Sequence, residues 1–144
     1  MTDLLAKRPP RAFFTLSTDA WTKPFWDAAA EHRLVAPRCV DCGHFRLPPT
    51  PFCPQCRSQK IDWVTLSGRG TVYSYTVVAR AVLPDMEANL PYVPAIVELE
   101  GAGGARLISN VVDVPVEAVR VGSAVRVVWD DEGGPTVPRF TLAD

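Results

Sequence analysis

Four cysteines carry the most specific chemistry in this sequence. Cys39-Val40-Asp41-Cys42 is followed, ten residues on, by Cys53-Pro54-Gln55-Cys56. Two residues between cysteines let both thiolates of a tight turn face one point, and two such turns supply a tetrahedral four-sulfur site. Gly43 follows the first pair, where the turn needs a residue that tolerates positive φ. All four cysteines are used, so Cys39, Cys42, Cys53 and Cys56 are expected to hold one structural Zn2+. Iron fits the same ligands, and two disulfides or four buried thiols are the alternatives. With four sulfurs bound no position is left open to water or substrate, so the metal's role would be to fold its segment. His44 is expected to face solvent rather than to act as a fifth ligand.

No other constellation points to catalysis. His32 has no Ser or Cys nucleophile pattern beside it, and the glycine-rich stretches lack the Lys and following helix of a phosphate-binding loop. Asp130, Asp131 and Glu132 read as a solvated turn. Two histidines and four committed cysteines leave few groups for general acid–base work, so no catalytic residue is assigned and the chain is not expected to be an enzyme on its own.

Three segments must position the cysteines. Residues 1–36 form an N-terminal arm and helix. Pro9, Pro10 and Arg11 suggest a loose arm, and Ser17-Thr18-Asp19 is a cluster of the kind that opens helices. A short helix is predicted from Pro24 to Arg33, with proline tolerable only in its first turn and Ala28, Ala29 and Ala30 favouring it. Its aromatics, Trp21, Phe25 and Trp26, either pack on the rest of the chain or dock on another protein. Residues 37–60 hold every cysteine and prolines at 37, 48, 49, 51 and 54, which exclude a helix interior or a central strand. Residues 61–144 read as β throughout. Strands are expected over 70–79, 92–100, 105–113, 123–129 and 136–142, with turns at 101–104 and 130–134. Gly68 and Gly70 suggest a bulge or sharp bend in the first of these. Five strands with a kinked first one fit a small closed barrel of the OB type, and an open sandwich fits the pattern almost as well.

Hydrophobic residues make up 47% and charged residues 22% of the 144, enough apolar content for a buried core. No apolar run approaches the roughly 20 residues that span a bilayer, and the first sixteen lack a secretory pattern, so a cytoplasmic protein with reduced thiols is expected. Charge is unevenly spread. Residues 1–60 carry nine Lys and Arg against five Asp and Glu, whereas residues 61–144 carry six Arg, no Lys and eleven acids. Zinc ribbons and OB barrels both commonly bind nucleic acid, but a phosphate-binding groove needs clustered cations that the β segment lacks. No nucleic-acid partner is expected.

The order of these parts is familiar. PFWDAAAEHRLVAPRC leads into CVDCGHFRLPPTPFCPQC, followed by GRGTVYSYTVV, PYVPAIVELE, a glycine turn, ARLISNVVDVP and a closing VPRF. From Pro24 to Phe140 this resembles the domain-of-unknown-function 35 family, in which a helical arm, a rubredoxin-like zinc ribbon and an OB barrel follow one another. The resemblance implies a non-catalytic accessory subunit of a thiolase-superfamily enzyme, an acyltransferase, thiolase or aldolase acting on CoA thioesters. It also implies a hetero-oligomer, with two copies of each chain around a thiolase-type dimer and the barrel near the acyl-CoA entrance. A stand-alone acyl-CoA-binding module is the alternative. Barrel loops commonly form binding surfaces, so the loop from Arg80 to Tyr92, with Tyr75 and Arg80, is the expected border of the acyl path. Trp21, Phe25 and Trp26 are the expected partner interface.

Overall fold

The computed structural model describes residues 4–11 and 14–143, so residues 1–3, 12 and 13 of the arm and residue 144 lie outside the described ones. The chain is mainly β. One helix, α1 (Lys23–Ala30), precedes a two-stranded antiparallel sheet of β1 (Val35–Cys39) and β2 (Ile61–Thr65). Five further strands follow: β3 (Arg69–Tyr75), β4 (Val93–Leu99), β5 (Arg106–Val111), β6 (Ala124–Asp130) and β7 (Val137–Leu142). They close into a barrel in the order β3-β4-β5-β7-β6, with β5 and β7 parallel and the other pairs antiparallel. That is the OB arrangement rather than an open sandwich.

Alternation of side chains explains the barrel. In β4, Val93, Ala95, Val97 and Leu99 point inward and are at most 2% exposed. They meet Val72, Val111, Val125 and Phe140 from the other strands in one cluster. The first barrel strand needs glycine at a particular point. Gly70 pairs with Leu99 on one side and Val125 on the other, and a Cβ there would lie 2.6 Å from Val97 Cγ1 and 2.7 Å from the Glu98 carbonyl. Gly68, with φ +86°, would clash with Val127 in the same way. The register of β3 itself breaks further on, between Val72 and Ser74.

The helix is shorter than expected and ends by a specific device. Asp19 Oδ1 accepts the backbone N–H groups of Trp21 and Thr22 at 2.9 Å, which starts the turn leading into α1. At the other end Arg33 N–H bonds to the Ala28 carbonyl and His32 N–H to that of Ala29, each at 2.9 Å. This is a Schellman ending, with His32 rather than glycine in the left-handed region at φ 58°. The His32 ring stacks on Trp129 of β6, at 5.4 Å and 7°, and its Nε2 lies 3.1 Å from Asp131. Helix termination is thus coupled to the barrel.

The arm is docked rather than loose over its described residues 4–11. Ala6 is 1% exposed and exchanges backbone hydrogen bonds with the 113–114 segment, donating to Val114 O at 2.7 Å and accepting from Asp113 N–H at 2.8 Å. Prolines alone suggest a free extended chain; what holds this one are the ion pairs of Arg8 and Arg11, described below.

Candidate functional site

The four cysteines converge. Cys39 ends β1, and Cys42, Cys53 and Cys56 sit in two turns; all four sulfurs lie within 4.8 Å of one another. Two of the pairs, Cys39–Cys56 and Cys42–Cys53, are 3.5 Å apart. Zn–S bonds near 2.3 Å in a tetrahedron require sulfurs about 3.8 Å apart, so this donor set fits the ion. The two turns repeat one geometry. Cys39 N–H donates to His44 O at 2.8 Å and Gly43 N–H to Cys39 O at 2.9 Å. Cys53 N–H donates to Ser58 O and Arg57 N–H to Cys53 O, both at 2.9 Å. Gly43 at φ 81° therefore has Arg57 at φ 67° as its counterpart, a position that sequence reading did not single out.

Electrostatics favour a cation at the centre. Backbone N–H groups of the Cys42 turn, aided by the Cys56 thiol, hold Cys39 down to about 6. Burial raises Cys53, but the N–H groups of Cys56 and Gln55 and the Cys42 thiol outweigh it and lower the thiol. The His44 N–H favours a Cys42 thiolate, yet burial and the bonds to Cys53, Cys56 and Cys39 push it up to about 12. Four sulfurs this close cannot all be charged unless a cation sits among them. A zinc ion bound there would fix the two turns and close the segment; Cys39, Cys42, Cys53 and Cys56 would be its ligands. Arg46 braces the same region from beneath. It is 4% exposed and donates from Nη1 to Ser58 O at 2.9 Å and from Nη2 to Lys60 O at 3.4 Å. His44 stands half-buried outside the sulfur cluster.

The aromatics of the helix divide. Phe25 is 5% exposed and belongs to the chain's own core, with the half-buried Trp26 packed edge-on against it at 5.1 Å. Trp21 is half-exposed at the start of the helix. Trp26 also walls an apolar groove of about 500 Å³, with Leu47, Pro48 and Pro49 of the ribbon loop opposite Ile96 and Ile108 of the barrel. Ile108 is 78% exposed in the middle of β5. Tyr75 is half-buried and borders an adjoining hollow with Pro94, Ile96 and Ile108. Arg80 is exposed in the loop after β3, whose only regular piece is a 3-10 turn at Glu87–Asn89.

One cluster was missed from sequence. Asp130 is not a solvated turn residue: it closes β6, is 1% exposed, and is surrounded by three guanidinium groups. Arg8 Nη1 lies 3.2 Å and Arg11 Nη1 3.7 Å from Oδ1, and Arg139 Nε lies 3.4 Å from Oδ2. Arg139 Nη1 also donates to Asn110 Oδ1 at 2.8 Å, and Arg8 reaches Asp113 at 3.3 Å. Arg11 further donates to the Glu132 and Pro135 carbonyls. Burial pulls the Arg139 guanidinium below its usual range against the attraction of Asp130. Three arginines from distant parts of a chain carry no spacing that would announce a common partner.

Comparison with known proteins follows the same division of the chain. Residues 26–62 match the family described as "ChsH2, rubredoxin-like zinc ribbon domain" and residues 63–130 that described as "ChsH2, C-terminal OB-fold domain". A Thermomonospora curvata protein named "Probable enoyl-CoA hydratase alpha subunit" is 42% identical over 121 residues, covering 83% of this chain but 37% of its own length. A Methanocaldococcus jannaschii protein named "DUF35 domain-containing scaffold protein" is 41% identical over 97 residues, 67% of each chain. The solved structure titled "Ltp2-ChsH2(DUF35) aldolase" superposes with a TM-score of 0.80 at 35% identity, covering 90% of this chain and 100% of that one. With ribbon, barrel and order of parts all matched, the chain belongs to the DUF35 family.

Proposed function

We propose that this chain is a non-catalytic, zinc-stabilised accessory subunit of an enzyme acting on CoA thioesters, and that the enzyme is of the thiolase type. The observation that carries the reading is the apolar outer face formed by Trp26, Leu47, Pro48, Ile96 and Ile108. Its central residue, Ile108, is too exposed for a strand position with no partner. The names of the relatives support the same reading: a hydratase alpha subunit, a scaffold protein, and an aldolase structure that pairs a DUF35 protein with Ltp2. Aromatic and aliphatic anchors of this kind form the desolvated centre of interfaces. Trp26 and Trp21 would flank the contact, while Phe25 supports it from within the core. Tyr75, next to Ile96 and Ile108, and Arg80 on the neighbouring loop would border the path of the acyl substrate. The acidic β half gives a nucleic-acid backbone little to bind.

Co-expression with a candidate thiolase-type enzyme, followed by size-exclusion chromatography, tests the proposal. The two proteins are expected to elute together, and Ile108→Glu is expected to separate them while leaving zinc content and fold intact. If the unmodified proteins elute apart and the enzyme alone is fully active, the accessory-subunit reading fails. A stand-alone acyl-CoA-binding module then takes its place.

A further inference from the structure

Two arginines are buried among the described residues, and their charges are met differently. Arg139 has the Asp130 carboxylate at 3.4 Å, whereas Arg46, 4% exposed, makes no ion pair among those residues. The acids of the ribbon and its sheet are engaged elsewhere: Asp62 with Arg38 at 3.0 Å, and Asp41 with the Ser58 hydroxyl. The Arg46 Nε is itself buried, with no hydrogen-bond partner among the described residues. A buried guanidinium is costly unless something answers its charge.

The hydrogen bonds that Arg46 does make lead to the cysteines. Nη1 donates to the Ser58 carbonyl at 2.9 Å, and that carbonyl also accepts the Cys53 N–H. Nη2 donates at 3.4 Å to the Lys60 carbonyl, which also accepts the Val40 N–H at 3.1 Å. Val40 belongs to the first cysteine turn and Cys53 to the second, so one guanidinium ties both turns together. The Arg46 backbone N–H is fixed on the Pro37 carbonyl of β1 at 3.1 Å. These carbonyls satisfy donors but bring no net negative charge. Composition points the same way: residues 37–60 carry Arg38, Arg46, Arg57 and Lys60 against Asp41 alone. A divalent ion held by four thiolates is a dianion, which supplies the negative charge that the segment's other side chains lack.

We infer that Arg46 is the positioning residue and buried counter-charge of the four-cysteine centre, holding its two turns in place and raising its affinity for zinc. Arg38 and Arg57 do not share the role, since both are exposed or half-exposed and exposed charges are screened.

Zinc(II) is the probe, measured on the full chain by competition with a chelator of known affinity. Cobalt(II), followed by its thiolate charge-transfer absorption, is the second readout. Arg46→Gln is expected to weaken zinc about 10–100-fold, the range for outer partners of metal ligands. Arg46→Lys keeps the charge but not the fork, and is expected to bind zinc at least about fivefold more tightly than Arg46→Gln. Arg38→Gln, at an exposed ion pair, is expected to stay within about twofold of the parent. In a Cys56→His background the centre is a monoanion, and the factor lost through Arg46→Gln is expected to fall to about its square root. Equal affinity of the Lys and Gln variants, or loss of zinc from both, would show that only the fork matters and overturn the charge assignment. A loss for Arg38→Gln as large as for Arg46→Gln, or an undiminished penalty beside Cys56→His, would overturn it too. The Lys and Gln comparison decides the matter even if Cys56→His binds no metal. All arms use the isolated chain, so the outcome is independent of whether a partner enzyme binds.

Discussion

Replacing Asp130 by Asn should weaken this fold more than almost any other isosteric change. The carboxylate is 1% exposed and Arg139 beside it is 10% exposed, so the change leaves a guanidinium largely shielded from water without its counter-charge. Breaking a buried pair from one side costs about 3–5 kcal/mol. Arg8 and Arg11 keep 32% and 18% of their side chains in solvent, so each adds at most about 1 kcal/mol. The Asn side chain still accepts from the Glu132 N–H, so the turn after β6 is not the source of the loss. For a chain of this length the sum lowers Tm by roughly 10–25 °C. Scanning calorimetry on zinc-replete protein measures it, with limited proteolysis reporting release of the arm. Removing both charges in Asp130→Leu with Arg139→Met should recover at least half of the loss, since the penalty lies in the unanswered charge rather than in a missing bond. A Tm within about 2 °C of the parent for Asp130→Asn, or strict additivity in the double variant, would refute the reasoning.

Other changes test other parts of the structure. Cys39→Ser and Cys56→Ser should each abolish binding of the single zinc and unfold the ribbon. Cys39 is buried and Cys56 exposed, so if the thiols served only for packing, elemental analysis and circular dichroism would show Cys56→Ser to be nearly silent. Gly70→Ala should cost about 2 kcal/mol in denaturant melts, because the Glu98 carbonyl 2.7 Å from the new Cβ is backbone and cannot step aside. Acid should destabilise the fold through Asp19, Asp62 and Asp131. Hydrogen bonds from the Thr22 and Trp21 N–H groups, from Arg38, and from Thr136 with His32, respectively, hold these carboxyls below their usual range. Their contribution is present above the unfolded value near 3.9 and is lost as pH falls through the lower folded values. Asp62→Asn should therefore flatten the acid limb of stability against pH, and an unchanged limb would count against the Arg38 contact.

The parts of the molecule legible in sequence are those whose cause is local. Paired cysteines at a spacing of two residues can converge only through tight turns, and β-branched runs separated by glycine turns mark strands wherever they lie. Asp19 announced the start of the helix by its own side chain. What stayed hidden depends on distance along the chain. Asp130 follows Trp129 in a stretch of charged residues that reads as turn, and only the closure of β6 against β7 brings Arg139 beside it. Arg8 and Arg11 reach the same carboxylate from 122 and 119 residues away. His32 ends the helix because Trp129 waits to stack on it, so no local stop signal was needed. Arg57 takes the conformation of Gly43 because the second metal turn dictates it, whatever residue stands there. Phe25 shows the reverse limit: helical spacing put it on an apolar face but could not say that the face is covered from within the chain.

The short link between ribbon and barrel has a consequence for how the molecule comes apart. Only three residues, 66–68, separate β2 from β3, and Leu66 donates its N–H to Leu34 O at 2.8 Å before its side chain enters the interior. Leu34, just before β1, and Val35 and Ala36 within it lie in the same apolar cluster as Val97 and Leu99 of β4 and Ala102 of the turn that follows. Ribbon and barrel are therefore two architectures but one cooperative unit. Stripping the metal removes the wall that one end of the barrel leans on, so chelation should lower the amide-exchange protection of β4 as well as of β1. An ion bound by four cysteines of two turns, two of them buried and two exposed, would in this way govern the opening of strands it never touches.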